Sequence, residues 1–528
     1  MEFSAAVLNL NAVLPELVLC LFLCGALIYD MFVPQAESRK AAGSLALSGI
    51  LTALLIVGLQ LWLELPHYNV LYFGGLLILD KLALVFKLII FLGAAISFIF
   101  SLLSDELKPF RFGEYGALLL GATIGASLLS SANNIVIFVL AIETLSLCSY
   151  VLAGYLKHER FSAEAGLKYT LFGAVASGVM LFGLSYLYGL STSLDLTRCM
   201  SNLAPALLRQ RDALAAYLAL ALVLSGIGFK IAMLPFHFWC PDTYQGAPTP
   251  VTAFLSVVSK TAGFAALSRI LAPLIASEHF PRFVQNGWPG GLQMLLGVSA
   301  ITTMTYGNLT AIKQTNVKRL LAYSAIAHAG YLLMAAAAVR EPAFEAMMLY
   351  LFIYLFMNLG AFWVVIALGD RVRSFEIEDF KGAAYMAPVL FAVLFVCLVS
   401  LTGIPPTAGF SAKFQLFSVV VGAGLDAMPG SQVLNVTAGF FFALALIGVL
   451  NSVISLFYYM RVARVMVFEK PSPESKIQAG LADNLIAVLL CVPVLILLDF
   501  EPVSFLVKGA LQPLKAGLAS LACFLGYV

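Results

Sequence analysis

Apolar residues run along the chain in stretches of about 20, separated by short polar breaks, and a helix of that length crosses a bilayer's hydrocarbon core. The pattern predicts about fourteen spans. Their limits are 9–31, 42–63, 78–103, 115–131, 134–155, 163–190, 213–236, 250–275, 288–307, 317–338, 344–369, 384–422, 438–465 and 482–499, the twelfth interrupted. Beyond Pro502 the tail spaces Lys508 and Lys515 along an apolar stretch, and both an interfacial and a spanning placement fit it. The start, MEFSAAVLNLNAVLPELVLC, has neither a basic n-region nor a small-residue cleavage site, so a retained first helix is expected.

Composition points the same way. Of 528 residues 61% are hydrophobic and 11% charged, with a mean hydropathy of +0.97, too few charges to cover a water-soluble surface. The expected fold class is therefore all-α and polytopic. A net charge of +2 does not suggest nucleic acid as a partner. The eight cysteines form no CxxC pair and no Cys/His cluster, so they read as small packing residues. With no phosphate loop and no Fe–S or haem spacing, no metal, cofactor or redox centre is expected on this chain. Lysines and arginines crowd the loops after odd-numbered spans, about sixteen against about five after even ones. The odd loops should face the cytoplasm, or the equivalent negative side, with both termini opposite.

The informative residues are charges inside spans. Glu143 sits in IVIFVLAIETLSLCSYVLAGY, Lys230 in ALVLSGIGFKIAMLPFHFW and Lys260 in VTAFLSVVSKTAGFAAL. Lys413 follows a Pro-Pro break in LTGIPPTAGFSAKFQLFSVVVG, and Lys168 lies early in the sixth span. Each would cost about 2.5–3.5 kcal/mol at the bilayer centre, so they should face the bundle interior. Static pairing is the plain alternative, but the lysines outnumber deep acids by about four to one, and unpaired buried lysines shift between charged and neutral forms readily. That property suits a proton relay. Asp80, Lys81 and Lys87, near the start of the third span, are expected to snorkel. Glu16 is expected at the outer end of the first helix, and Glu114, Asp242 and Arg340 in loops and interfaces.

Pro235 follows Lys230 by one turn and a half, and Pro405-Pro406 precede Lys413 by about two turns. Opened backbone at membrane depth belongs beside water or protein, as at the ion sites of transporters. His237, just past the first break, and His328, mid-span in LLAYSAIAHAGYLLM, are further proton-carrying candidates, although either could be an ordinary packing histidine. The two Lys-plus-break units fall in spans seven and twelve, and an odd offset places the second copy upside down, an inverted repeat.

These residues also carry a resemblance. GFKIAMLPFHFWCPDTYQGAPTPVTAFLSVVSKTAGFAALSR, NLTAIKQTNVKRLLAYSAIAHAGYLL, AIETLSLCSYVLAGY and GIPPTAGFSAKF resemble the antiporter-like membrane subunits of complex I over roughly residues 100–465. HFWCPDTYQGAPTPV is most like the bacterial N type and its cyanobacterial and plastid counterparts. Cys240 departs from the Thr or Leu usual there. The resemblance implies fourteen helices with two inverted five-helix repeats and broken helices 7 and 12. It implies units at 1–112, 113–275 (helices 4–8), 276–466 (helices 9–13) and 467–528. It implies a proton path through Glu143, Lys230, Lys260 and Lys413, with Lys168 and His237 at positions the family also uses. Lys413 stands where M-type and cation-antiporter relatives carry Glu, which favours the N type.

The function so implied is proton translocation coupled to quinone reduction in NADH (or a related donor):quinone oxidoreductase. FMN, Fe–S clusters and quinone are then expected in partner subunits, and neighbouring antiporter-like subunits and membrane lipid as partners. The location implied is the bacterial inner membrane, with the thylakoid membrane as alternative. The rival functions are a subunit of a cation/proton antiporter and an inert scaffold.

Overall fold

The structure, a computed structural model, describes residues 2–63, 70–208, 210–276, 290–428, 435–470 and 480–497. The tail beyond Pro502 lies outside the described residues. Each of the fourteen expected spans is a helix or a broken helix. They are α1 (Glu2–Phe32), α2 (Gln35–Trp62), α3 (Lys81–Leu103), α4 (Phe112–Ser131), α5 (Ile135–Ala153) and α6 (Arg160–Ser191). After a short amphipathic α7 (Leu196–Leu208) come α8 (Gln210–Ile231) and α9 (Trp239–Gly246), the two sides of the broken seventh span. The eighth runs through α10 (Thr249–Phe254), a π-helical turn (Leu255–Ser259) and α11 (Lys260–Ala276). Then follow α12 (Gly291–Ala311), α13 (Val317–Ala337), α14 (Glu341–Val372) and α15 (Ala383–Met386). The broken twelfth span is α16 (Pro388–Thr402) and α17 (Ala408–Asp426), and α18 (Val436–Phe468) and α19 (Leu481–Ile496) complete the order.

Twelve of the described helices are long and apolar enough to cross a membrane, or thirteen if the bent pair Ile377–Met386 and Pro388–Thr402 counts as one span. The shortfall from fourteen lies in two helices: α19 has 16 residues, and α12 carries polar residues such as Thr303 and Asn308.

Burial divides the bundle into centre and rim. The eighth span and α13 are wholly buried in their most apolar windows, and α14 is 89% buried. In α1, α6 and α18 only about a third or less is buried, leaving Leu21, Phe182 and Phe457 to face lipid. A charge in the apolar stretch of the eighth or tenth span is therefore kept from hydrocarbon whichever side of the helix it occupies.

Two connections are built alike. Asn134 caps α5 by accepting from Val136 N–H, and Asn316 caps α13 by accepting from Arg319 N–H. Asn134 bridges Asp195 just after α6, and Asn316 bridges Glu376 just after α14. α6 and α14 are both 32 residues long, and both stop at a left-handed residue, Thr192 (φ 55°) and Arg373 (φ 56°). The likeness falls five spans apart, as an inverted repeat requires. One feature of the fold has no periodic signature in the sequence. It is the antiparallel hairpin of β1 (Val70–Tyr72) and β2 (Leu77–Leu79), which also bridges Ala132 beyond α4.

Candidate functional site

Three of the expected relay lysines, Lys230, Lys260 and Lys413, lie in the bundle interior, each no more than 3% exposed, and none of the three forms an ion pair among the described residues. Lys230 is in the last turn of α8, beside the break that runs through Ala232 (φ 59°) and the cis Leu234–Pro235 bond. Its Nζ donates to Ser146 Oγ at 3.0 Å and lies over the rings of Tyr150 and Tyr169, 5.9 and 5.6 Å from their centroids. Ser146 is one turn along α5 from Glu143, whose Oε1 is buried without a hydrogen-bond partner. Glu143 and Lys230 are not within ion-pair distance, and the lysine is held instead by the serine one turn along from Glu143.

Lys260 begins α11 directly after the π-helical turn, and its Nζ is buried with no hydrogen-bond partner. A π-turn inserts a residue into the ladder and re-aims the side chains that follow; such turns collect at functional sites. α11 packs tightly on the end of α8. At Gly263, one turn past Lys260, a Cβ would stand 2.5 Å from Ile231 Cγ2 and 3.5 Å from Lys230 Cβ, so only glycine lets the two lysine-bearing segments meet.

Polar groups continue from there across the core. Asn358 Nδ2 on α14 donates to Ser256 Oγ of the π-turn at 2.6 Å. One turn back, Tyr354 packs on His328, ring centroids 5.2 Å apart. His328 is held on both ring nitrogens, Nδ1 at 2.5 Å from Tyr350 OH and Nε2 at 3.2 Å from Tyr459 OH. Tyr331, one turn along α13, presents its ring to Lys413 Nζ at 4.5 Å. Lys413 Nζ in turn donates to the carbonyls of Leu401 (2.8 Å) and Thr402 (2.9 Å), the free C-terminal oxygens of α16. Behind Tyr331 a network of Asn308, Asn451 and Tyr458 fixes α12, α13 and α18 together.

The expected residues thus separate. Lys230, Lys260, His328 and Lys413 lie along one interior line, with Glu143 one helical turn from the serine that holds its first member. Lys168 stands elsewhere, 37% exposed, in ion pairs with Glu164 (2.7 Å) and Asp242 (2.6 Å), the latter also paired to Arg319. His237 is buried just past the break, packed against Phe238 and Tyr306, with Nδ1 unpartnered.

Three expectations near the third span are corrected. Lys87 does not snorkel; it is fully buried and paired to Glu16 at 2.6 Å, with Ser127 Oγ donating to the same carboxylate at 2.5 Å. Glu16 is accordingly inside the bundle and not at an outer helix end. Asp80 caps α3 and takes a bidentate pair from Arg269 at 2.6 and 2.7 Å, both residues buried. Snorkelling fails because α1, α4 and α11 cover the start of α3 and leave the lysine no route to an interface. Of the residues missed from sequence, Tyr350, Tyr354 and Asn358 carried a usable signal: spaced by four, they form one polar stripe on an apolar helix. Lys318, at the start of α13, is buried and gave no such sign.

A bundle of spanning helices with cations seated beside broken helices is the arrangement of antiporter-like membrane proteins. Residues 132–441 match the family NADH:quinone oxidoreductase/Mrp antiporter, and the chain belongs to it. It is 38% identical over 485 residues to NADH-quinone oxidoreductase subunit N of Anaeromyxobacter sp. (strain Fw109-5), covering 88% of this chain and 90% of that one. It is 40% identical over 477 residues to the chloroplastic NAD(P)H-quinone oxidoreductase subunit 2 of Mesostigma viride, covering 90% and 88%. A chain of respiratory complex I from Thermus thermophilus superposes with a TM-score of 0.71 at 28% identity, over 92% of this chain and 97% of that one. A chain of the Mrp complex from Dietzia sp. DQ12-45-1b superposes with a TM-score of 0.78 at 20% identity, over 98% and 99%, a likeness of fold alone.

Proposed function

We propose that this chain is the proton-translocating membrane subunit of a NADH (or related donor):quinone oxidoreductase, its path running Glu143, Lys230, Lys260, His328, Lys413. The observation that carries the reading is that Lys230, Lys260 and Lys413 are buried with no carboxylate partner, with hydroxyl, amide and imidazole groups in the interior around them. A structural cation would need a counter-charge. A carrier needs neighbours that accept from it whether it is charged or neutral, and Ser146, Tyr331 and helix-end carbonyls are such neighbours. The unpartnered buried atoms of Glu143, Lys260, Tyr354 and Asn358 are the kind that internal water satisfies, and water completes a proton wire.

The driving energy comes from quinone reduction in other subunits, which also hold FMN and Fe–S clusters. Approach of Glu143 to Lys230 favours the ammonium and loads it; separation favours release toward Lys260 and Lys413. Lys168 and His237 serve access to this line from its flank. The units 113–275 and 276–466 form the two inverted halves, framed by 1–112 and 467–528, and the matched Asn134 and Asn316 connections support that division. Both termini lie on the positive side, opposite the Lys/Arg-rich odd loops.

A cation/proton antiporter subunit shares the fold, yet its likeness to this chain rests on 20% identity, against 38–40% for the quinone oxidoreductase subunits. The test is Lys260→Ala in the intact complex, reconstituted in vesicles. Assembly on native gels with loss of most proton uptake per quinone reduced is expected. An assembled variant that pumps normally would remove Lys260 from the path.

A further inference from the structure

On the side of the odd-numbered loops a cavity of about 720 Å³ opens where the α3–α4 and α5–α6 connections meet α9 and the ends of α13 and α14. Asp105, Glu106, Glu159 and Asp370 line it, opposed by His158, Arg373 and, in its wall, Lys318, while Asp105 is ion-paired to Lys108. Lys318 is 3% exposed, yet it has no carboxylate within ion-pair distance. Its Nζ donates to Ala247 O at 2.7 Å and lies 4.7 Å from the centre of the Phe375 ring. A buried amine bordering an open acidic cavity is placed to exchange protons with the water that fills it.

The inner side of Lys318 leads toward the relay. Ala247 closes α9, whose Thr243 Oγ1 and Tyr244 OH are buried without hydrogen-bond partners. Ser259 Oγ, Lys260 Nζ and Thr261 Oγ1 on the eighth span are unpartnered in the same way. Thr252 Oγ1 donates to Tyr244 O at 3.1 Å and so ties the two segments together. Glu106 fastens the cavity to that span as well. Its Oε2 accepts from Thr249 N–H at 2.6 Å and its Oε1 from Thr249 Oγ1 at 2.9 Å, capping the helix that carries Lys260. Orphaned polar atoms are scarce in folded proteins, so Thr243 and Tyr244 on α9, between Ala247 and the span of Lys260, are where internal water would bind.

We propose that this acidic cavity is the proton-entry vestibule of the subunit and that Lys318 is its gate amine, passing protons by way of the α9 hydroxyls to Lys260. A hydronium ion in the vestibule gives its proton to the neutral Lys318 amine and becomes water. The ammonium so formed gives a proton inward, and a neutral Lys260 amine receives one at the far end of the wire. One proton moves and no electron does. The carboxylates raise the local proton concentration at the mouth. The proposal rests on the relay described above, and Lys260→Ala tests that relay independently.

In the intact complex in vesicles, Lys318→Ala is expected to assemble and to slow coupled proton uptake at least about tenfold, the scale on which a positioned acid–base group acts. Ethylamine supplied on the vestibule side should restore uptake in proportion to its free-base concentration, a response that a merely structural lysine would not give. Lys318→Arg should assemble and stay slow, because guanidinium does not release its proton. Normal uptake in either variant, or a slow Lys318→Ala indifferent to amine, would overturn the proposal. If Lys318→Ala does not assemble, Asp105→Cys decides, since that side chain is 55% exposed at the rim. Labelling the cysteine with a trimethylammonium thiosulfonate should slow uptake, and undiminished uptake after full labelling would overturn the vestibule. A normally pumping Lys260→Ala beside a slow, amine-rescued Lys318→Ala would instead displace the relay and leave the gate standing.

Discussion

Lys413 Nζ lies 2.9 Å from the Thr402 carbonyl, so the cation on one side of the broken twelfth span closes the helix end on the other. A helix C-terminus carries partial negative charge and unsatisfied carbonyls, and an ammonium placed there gains up to about 2 kcal/mol in partly buried settings. The break supplies the opening and a partial negative charge, which eases burial of the ammonium but, unlike a carboxylate, does not fix its proton.

Gly403 sits between these two groups. Its φ of 86° belongs to the left-handed region, and a Cβ there would stand 2.8 Å from Lys413 Cδ. Gly403→Ala therefore meets backbone strain of about 1–3 kcal/mol and displaces the lysine from its carbonyls. The expected outcome is an assembled complex with a lowered protons-per-electron ratio. Gly178→Ala, where a Cβ meets nothing within 4 Å, is the control and should be neutral. Equal ratios in the two variants would show that the helix-end seat of Lys413 is dispensable.

The Glu16–Lys87 pair permits a stability prediction outside the relay. Removing one partner of a buried ion pair strands the other charge at a cost of about 3–5 kcal/mol, whereas replacing both with neutral groups is often close to harmless. Lys87→Met should lower the subunit's thermal unfolding midpoint and its yield in assembled complex. Adding Glu16→Gln should recover most of the loss. Thermal melts of the single and double variants check this, and a double variant as unstable as Lys87→Met would mean that the charge is not what Glu16 contributes.

The spans were legible because bilayer thickness imposes one length on every helix, and the buried lysines because hydrocarbon makes them conspicuous. Both breaks were legible from Pro235 and Pro405-Pro406. The π-turn before Lys260 was not, since LSVVS contains no proline or glycine to mark it, and its packing against α3 and α14 is tertiary. The fate of Lys87 was hidden for a related reason. Periodicity tells which residues enter a membrane, but whether a charge near a helix start snorkels or pairs depends on which helices cover it, and that is settled by tertiary contact. Ser146 was overlooked beside Glu143 because a serine in an apolar helix usually bonds its own backbone, as Ser146 also does with Ile142 O at 2.6 Å.

The contact from Lys230 to Ser146 sharpens the choice between a fixed charge and a carrier. A fixed cation would need only to remain positive near Tyr150, Tyr169 and Glu143. Arginine would do that as well, keeping its attraction to the two rings and reaching Glu143 more easily through its longer, forked end. A carrier must also give its proton away, and a guanidinium with a pKa above about 12 does not. The two roles therefore predict opposite results for Lys230→Arg. We expect the variant to assemble on native gels and to lose most inhibitor-sensitive proton pumping in vesicles, while Ser146→Ala, which leaves the amine in place, retains a measurable part. Normal pumping by an assembled Lys230→Arg would make Lys230 a fixed charge. The path would then have to start at Lys260, the other amine bordering the α8–α11 contact.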